Sequence, residues 1–232
     1  MRLGDRIESG EFLERPNRYL ARVNINGEEL QAHVPDPGRL PGLMIPGREA
    51  RLIYNPGPKR KTSYTLALIR HGNIWVSVYP VFANKIVGQA LEEKRIECFG
   101  SYTSFRAEAK KGKSRFDFRL EFEDNTVGFV EVKSVSLVEK GTGKFPDAPT
   151  VRGQKHLREL IELKKEGYRS SVMFVSQRPD TRRIIPNVEI DPEFAKILKE
   201  AEQCGVELYG YNCRVTKDSV SLNQRVEVSA DY

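Results

Sequence analysis

Cysteine is scarce in this 232-residue chain: its three cysteines are Cys98, Cys204 and Cys213, and no C-x-x-C pair occurs. An odd number at such wide spacing argues against a disulfide framework or a zinc ribbon, and it favours a reducing compartment. The sequence also lacks the stretch of about 20 apolar residues that a membrane span needs. Its first residues have no apolar run typical of a signal peptide. We therefore expect a cytoplasmic protein with no membrane partner.

Charged residues are abundant, at 30% of the chain, and lysine plus arginine outnumber aspartate plus glutamate by 38 to 32. The resulting net charge of +6 and a pI near 9.2 are a mild basic bias. Such a bias suits a polyanionic partner such as nucleic acid, although many proteins without that partner share it. The length and the 39% hydrophobic content allow one large domain or two modest ones.

The first 80 residues read as short strands separated by turns rich in proline and glycine. The strands are expected at residues 18–25, 29–34, 50–54, 64–71 and 74–78. Asn26-Gly27 is a hairpin signal between the first two of them. Five short strands with such turns predict a small β-barrel of the OB type, with a small β-sandwich as the alternative.

The pattern changes after residue 80, where helical and strand-like segments alternate. Helices are expected at residues 83–95, 151–166 and from Asp191 to about 204, and strands at 102–107, 115–122, 127–137, 171–177 and 206–211. Asn84 is the expected cap of the first helix, and Pro192 is expected at the first position of the third. The tail after Thr216 is weakly patterned. This order predicts a mixed sheet flanked by helices.

Two carboxylates and a lysine are expected to meet on adjacent strands of this sheet. In RFDFRLEF, one strand face is expected to carry Phe116, Phe118, Leu120 and Phe122, and the other Arg115, Asp117, Arg119 and Glu121. In VGFVEVKSV, Glu131 and Lys133 share one face because they are two positions apart. A hairpin would bring Asp117 close to both. Two carboxylates suit a hard cation, Mg²⁺ or Mn²⁺, and the lysine suits stabilisation of a phosphoryl transition state. The alternative is a set of cross-strand charge pairs that only stabilises the hairpin.

A second candidate cluster follows the loop FPDAPT, which contains Asp147. Arg152, Lys155 and His156 occupy the first turns of the next helix, whose N-terminus together with these side chains suits a phosphate. We expect His156 to be a surface or phosphate contact rather than a general base. The alternative is an ordinary loop followed by a solvated helix start.

The first domain carries basic side chains interleaved with aromatic ones. One group consists of Arg15, Asn17, Arg18, Tyr19 and Arg22, a second of Lys59, Arg60 and Lys61, and Arg39 lies in a loop between them. Cations pair with phosphates and aromatic rings stack on bases, which is how barrels of this class bind nucleic acid strands. Solvated charge in loops is the alternative for any single group.

Several stretches, spread in order over nearly the whole chain, resemble the sugar fermentation stimulation protein A family. They are RPNRYLARV, AHVPDPGRL, KRKTSYTLAL, RFDF, EVKSVSL, FPDAPTVRGQKHLREL and IDPEFAKIL. The resemblance implies an α/β (α+β) protein with an OB-like barrel over residues 1–80 and a restriction-endonuclease-like domain over residues 81–232. It also implies DNA binding without strong sequence preference and a regulatory link to sugar (maltose) metabolism. Nuclease activity follows from it only by analogy of fold.

The resemblance also carries over to single residues. The positions that match the D…E-x-K motif of PD-(D/E)xK nucleases are Asp117, Glu131 and Lys133. Asn84 matches the family's asparagine, whereas Gln89 stands where related nuclease folds often have an acidic residue. Glu92 and Glu93, one turn further on, are alternative sources of a third carboxylate.

Three functional hypotheses remain open at this point. The first is a DNA-binding protein whose nuclease-like domain is vestigial or used only for binding. The second is an active Mg²⁺- or Mn²⁺-dependent nuclease on DNA. A third, more remote, is an RNA-binding or RNA-processing factor, since OB barrels also bind RNA. A homodimer is compatible with all three.

Overall fold

The computed structural model of the chain describes residues 1–112 and 114–231. Its N-terminal strands are β1 (Ile7–Asn17), β2 (Leu20–Ile25), β3 (Glu28–His33), β4 (Arg48–Tyr54), β5 (Tyr64–His71) and β6 (Ile74–Ser77). They are ordered β3-β2-β1-β4-β5-β6, and an additional parallel pairing of β3 with β5 closes the sheet into a barrel. The predicted OB-like barrel is therefore confirmed.

Strand β1 is an addition to the predicted strands. Its sequence, IESGEFLERPN, buries only Phe12 fully, and its pairing with β2 shifts register after Phe12 and after Glu14. The usual alternation of buried and exposed residues is therefore absent, although Phe12 contributes to the barrel core beside Leu52 and Leu66.

The C-terminal domain is a mixed sheet with helices on both faces, as predicted. Its strands are β7 (Tyr102–Lys111), β8 (Ser114–Phe122), β9 (Val127–Val135), β10 (Leu137–Glu139), β11 (Thr142–Phe145), β12 (Arg169–Ser176), β13 (Arg183–Pro186), β14 (Glu207–Val215) and β15 (Val220–Val228). The helices are α1 (Phe82–Glu92), α2 (Val151–Lys165) and α3 (Pro192–Gln203), and a 3₁₀ turn covers Glu97–Phe99. The strand order is β10-β11-β13-β15-β14-β12-β9-β8-β7, with β9, β12 and β14 parallel.

Apolar residues on the two faces of the sheet form two separate cores. On β12, Met173 packs in the cluster that contains α1, whereas Phe174 packs in the cluster that contains α2 and α3. The α1 cluster continues into the barrel through Leu68 and Trp75. At the same boundary, the Ser77 hydroxyl donates a 2.8 Å hydrogen bond to Oε1 of Gln177. The barrel therefore lies against the α1 face of the sheet.

The expectation that the last strand ends near residue 211 is wrong, because β14 runs on to Val215 and β15 follows it. Strand β15 buries Val220, Leu222 and Val226, but an irregularity in its pairing with β14 interrupts the alternation between the last two. There the side chain of Asn212 accepts a hydrogen bond from the backbone of Gln224. Because of this bulge, the buried residues of β15 do not keep to a period of two, so the alternation that predicts a strand is missing from its sequence.

Asn84 does not cap α1, which begins at Phe82 with Val81 as its N-cap residue and no side-chain cap. Asn84 instead lies inside the helix, and its side chain reaches the sheet. By contrast, Asp191 caps α3 with Pro192 in the first turn, as predicted. No helix in the described part of the chain is long and apolar enough to cross a membrane.

Candidate functional site

Asp117 lies at a point where strand β8 changes its orientation. Phe118, which pairs with Val130, packs in the α1 cluster, whereas Phe116 packs against Phe129 in the cluster on the other face. The expectation that Phe116 shares one face with Phe118 is therefore wrong. The change of face lets the Asp117 carboxylate turn back toward the backbone of β9.

Both oxygens of the Asp117 carboxylate accept hydrogen bonds. Oδ1 accepts from Nδ2 of Asn84 at 2.6 Å, and Oδ2 accepts from the backbone N–H of Val132 at 2.7 Å. Burial, and then the negative charge of Glu131, raise the pKa of Asp117 above its ordinary value, and these two hydrogen bonds oppose the rise. Asn84 thus holds the carboxylate from the helix side.

Glu131 is buried on β9, with 4% of its surface exposed. Its Oε1 accepts hydrogen bonds from Nζ of Lys133 at 2.6 Å and from Nδ1 of His156. Burial favours a raised pKa, but the bond from His156 and the charge of Lys133 outweigh it, so the pKa of Glu131 is lowered. Its second oxygen, Oε2, is buried and has no hydrogen-bond partner in the described part of the structure.

His156 is buried on α2 beside Glu131, which corrects the expected surface position. Its ring also lies 6.1 Å from that of Phe116. The sequence held a signal for this placement: His156 precedes Leu157 and is four residues from Leu160, and all three lie on the buried stripe of α2. The histidine therefore belongs to the carboxylate site, at 4% exposure, and not to the solvated helix start.

A cleft of about 500 Å³ opens beside Asp117, between α1 and the β7–β8 hairpin. Asn84, Gln89 and Glu92 line it together with Asp117. Glu93 points elsewhere: its carboxylate accepts a 2.7 Å hydrogen bond from Gln89 and pairs with Arg95. Residues 1–112 and 114–231 contain no group of three or more His, Cys, Asp or Glu side chains arranged to hold a metal ion.

The predicted phosphate site at the start of α2 is partly filled by the protein itself. The hydroxyl of Thr150 caps the helix by accepting from the N–H of Gly153 at 3.0 Å. Arg152 and Lys155 remain exposed, and Lys155 lies 3.8 Å from a carboxylate oxygen of Glu159. The structure thus separates these two cations, which stay on the surface, from His156.

The barrel brings parts of the two basic groups together. A recess of about 580 Å³ is lined by Asn17, Tyr19, Leu20, Gln31, His33, Arg60, Lys61 and Thr62. The ring of Tyr19 is 48% exposed, and the guanidinium of Arg18 lies 5.0 Å from its centre. Cations and an exposed ring therefore surround one concave surface.

Arg15 is directed inward, which does not fit its expected contact with nucleic acid. It donates to the backbone oxygens of Arg18, Asp36 and Gly38 at 2.6, 2.7 and 2.6 Å, and burial lowers its pKa. It therefore ties the end of β1 to the loop after β3.

The other predicted cations of the barrel lie outside the recess. Arg22 is exposed and pairs with Glu14 at 3.0 Å and with Glu29 at 3.6 Å. Arg39 and Lys59 are exposed, and neither lines the recess.

Comparisons with known proteins agree over nearly the full chain. Residues 81–219 match the model of the sugar fermentation stimulation protein RE domain, and residues 13–78 match that of the SfsA N-terminal OB domain. A sugar fermentation stimulation protein homolog of Clostridium perfringens (strain 13) is 39% identical over 228 residues, covering 98% of this chain and 99% of the relative. A homolog of the same name from Thermoanaerobacter pseudethanolicus is 43% identical over 223 residues, covering 96% of each chain. The solved structure of Pyrococcus furiosus SfsA in complex with Ca²⁺ superposes with a TM-score of 0.86 at 28% identity, covering 99% of this chain and 98% of that one.

Proposed function

This chain belongs to the sugar fermentation stimulation protein family, and we propose that it is a DNA-binding protein that combines an OB barrel with a nuclease-like domain. The observation that carries the proposal is the barrel recess, where the exposed ring of Tyr19 lies among Arg60 and Lys61. Cations neutralise phosphates, and an aromatic ring stacks on a base whatever its identity. DNA binding would therefore not be strongly sequence-specific.

The name shared by the relatives connects the family with sugar fermentation. We include a regulatory role in sugar (maltose) metabolism in the proposal on that basis. Such a role requires DNA binding without cleavage, and the two arms of the experiment below measure binding and cleavage separately.

A second candidate function is a Mg²⁺- or Mn²⁺-dependent nuclease on DNA. It is supported by the half-buried carboxylate of Asp117 and the buried one of Glu131, because Glu131 Oε2 lacks a hydrogen-bond partner within the described residues, and because desolvation and then the charge of Glu131 raise the pKa of Asp117. Carboxylate oxygens whose negative charge is not fully compensated by nearby cations suit a hard divalent cation. A relative, the Pyrococcus furiosus protein, is described in complex with Ca²⁺, which prefers the same ligands.

Asp117 and Glu131 would hold such an ion, which supplies neutralisation of charge at a phosphate and Lewis-acid chemistry. The protein's own contribution is orientation. Asn84 fixes one side of Asp117, while Lys133 and His156 fix Oε1 of Glu131, leaving Oε2 for the ion. Lys133 also adds a positive charge, which would stabilise the negative charge of a phosphate bound at this site.

The experiment measures binding and cleavage by the full chain. In EDTA, fluorescence anisotropy with a labelled single-stranded DNA, whose bases are free to stack on Tyr19, should give an affinity that falls steeply with salt. Tyr19→Ala should weaken binding by about 1–3 kcal/mol, the usual contribution of a stacked base. Arg22→Ala is the matched control, because Glu14 and Glu29 already compensate that charge. Salt-independent binding, or equal effects of the two variants, would refute the barrel as the binding site.

The cleavage arm uses plasmid and single-stranded DNA with Mg²⁺ or Mn²⁺. Cleavage that disappears in both Asp117→Asn and Glu131→Gln supports the nuclease, and cleavage that persists unchanged in both contradicts the assigned site. Competition with an RNA of matched sequence separates the RNA-binding alternative, since a preference for RNA would contradict a DNA-binding function.

A further inference from the structure

The hairpin of β7 and β8, at the edge of the large sheet, places like charges directly opposite each other. Arg106 pairs with Arg119 across the two strands, and Lys110 pairs with Arg115. Like charges in directly opposed positions destabilise a hairpin. The arrangement therefore destabilises the folded hairpin. A ligand that binds these cations would offset this cost.

These four cations surround one recess of about 470 Å³, together with Glu108 and Ala109. Their charge is only partly compensated: Arg115 pairs with Glu108 at 3.0 Å, and Arg119 pairs with Glu121. Within residues 1–112 and 114–231, no carboxylate lies within ion-pairing distance of Arg106 or Lys110, and both residues are exposed. The recess thus presents uncompensated positive charge to solvent.

The recess adjoins the cleft beside Asp117. Glu108 lines both, and Asp117 lies between Arg115 and Arg119 on β8. Arg106 and Lys110 are four positions apart on β7, at most about 13 Å at 3.3 Å per residue, because Glu108 between them has a positive φ and is not extended. Their two opposed pairs therefore form two centres of positive charge, one toward each end of the hairpin segment that contains Asp117.

We propose that this β7–β8 recess, defined by Arg106, Lys110, Arg115 and Arg119, binds the phosphodiester backbone of the nucleic acid strand that passes the Asp117 cleft. The inference rests on the proposed DNA-binding function and assigns a contact surface in the nuclease-like domain, separate from the barrel. A regularly spaced polyanion meets both charge centres at once, because a nucleic acid strand carries one negative charge at every nucleotide and the two centres lie within a few nucleotides of each other.

An acidic protein segment would satisfy the same charges, but the position favours nucleic acid. The recess is lined by charged residues and one small apolar side chain, Ala109, so it offers little apolar surface to anchor a peptide. It also opens next to the carboxylate site, where a phosphodiester is the proposed substrate. Charge neutralisation of phosphates gives binding without sequence preference, in agreement with the function proposed above.

The test compares two double variants of the full chain that change the net charge equally. Arg106→Gln with Lys110→Gln alters the recess, and Lys196→Gln with Lys217→Gln removes two exposed cations elsewhere. Binding of a labelled duplex is measured in EDTA at several salt concentrations. The recess variant should lose about two units of salt slope and about tenfold in affinity, while the control keeps the wild-type slope.

Thermal unfolding of the same variants separates a binding role from a structural one. Because each substitution removes one member of a like-charge pair, the recess variant should be as stable as the wild type or more stable. A lower midpoint together with weaker binding would overturn the inference, since the cations would then support the fold.

The remaining outcomes distinguish a failure of the proposed function from a failure of this inference alone. If the wild type does not bind DNA at all, the proposed function fails and this inference fails with it. If Tyr19→Ala weakens DNA binding but the recess variant behaves like its control, the inference alone is wrong. A recess variant that loses binding to poly-glutamate while keeping DNA binding would overturn it in favour of an acidic protein partner.

Discussion

Asp36 should reduce the stability of this protein at neutral pH, and replacing it by asparagine should reveal by how much. Its carboxyl is only 6% exposed and accepts a 2.8 Å hydrogen bond from the N–H of Gly38. Burial raises the pKa of Asp36 to about 6; the Gly38 hydrogen bond opposes the rise, the charge of Asp147 across the domain boundary adds to it by a smaller amount, and Arg15 opposes it least. The ordinary value is 3.8. Asp147 is close enough that a Cβ on Gly38 would meet its Oδ2 at 2.0 Å.

The sign follows from the direction of the shift. The unfolded chain releases the Asp36 proton near pH 4, whereas the folded chain keeps it to about pH 6, so stability is complete below pH 4 and falls as the pH rises to 6. A displacement of about 2 pH units corresponds to about 3 kcal/mol. Asp36→Asn removes the charge and keeps an oxygen for the N–H of Gly38. The variant should therefore be more stable by up to about 3 kcal/mol at pH 7.5 and nearly unchanged at pH 4.

Urea unfolding at the two pH values measures this difference. Fluorescence of the single tryptophan, Trp75, reports on the barrel because that residue is buried in β6. Asp147→Asn should give a smaller gain, since its charge raises the pKa of Asp36 much less than burial does, and Asp5→Asn, at an exposed position, is the control. The reasoning is refuted if Asp36→Asn lowers stability at pH 7.5, or if its gain is equally large at pH 4.

Two further predictions concern the carboxylate site and the sheet. His156→Ala should weaken Mn²⁺ binding about tenfold or more, because residues that orient a ligand typically contribute that much to affinity; isothermal titration calorimetry checks this, and an unchanged affinity would show that Glu131 needs no such partner. Gly210→Ala should destabilise the fold by about 1–3 kcal/mol in urea unfolding, because its new Cβ would lie 2.6 Å from a β15 side chain. Gly57→Ala is its control, with no neighbour closer than 3.7 Å, and equal midpoints for the two variants would contradict the packing argument.

The carboxylate site was predictable in part because its members are local in sequence. Asp117 and Glu131 lie on strands joined by one turn, and the pairing of Phe118 with Val130 makes them neighbours. A period of two then places Glu131 with Lys133. Because this reasoning needs only the hairpin, it predicted that the three residues lie together, but it could not foresee that β8 changes face at Asp117.

The rest of the site depends on contacts between distant segments. His156 reaches Glu131 only because α2 packs over β9, 25 positions away, and Asn84 reaches Asp117 from α1 over a separation of 33. A pattern of polar residues at a helix start predicts capping or solvent contact, and it does not say which strand the helix covers. Asn84 was therefore interpreted as a cap and His156 as a surface group.

The pKa shifts of these carboxyl groups could not be predicted from the sequence either, because they depend on which acceptors the N–H groups of neighbouring cations bind. Arg15 lies beside Asp36, yet its N–H groups go to backbone oxygens, and the pKa of Asp36 rises. His156 and Lys133 instead donate directly to Glu131, whose pKa falls despite its burial. Asp117 resembles Asp36: its hydrogen bonds come from neutral groups, and its pKa is raised. Of the two carboxylates at the candidate site, Asp117 therefore has more to gain from a divalent cation, since Lys133 already compensates the charge of Glu131.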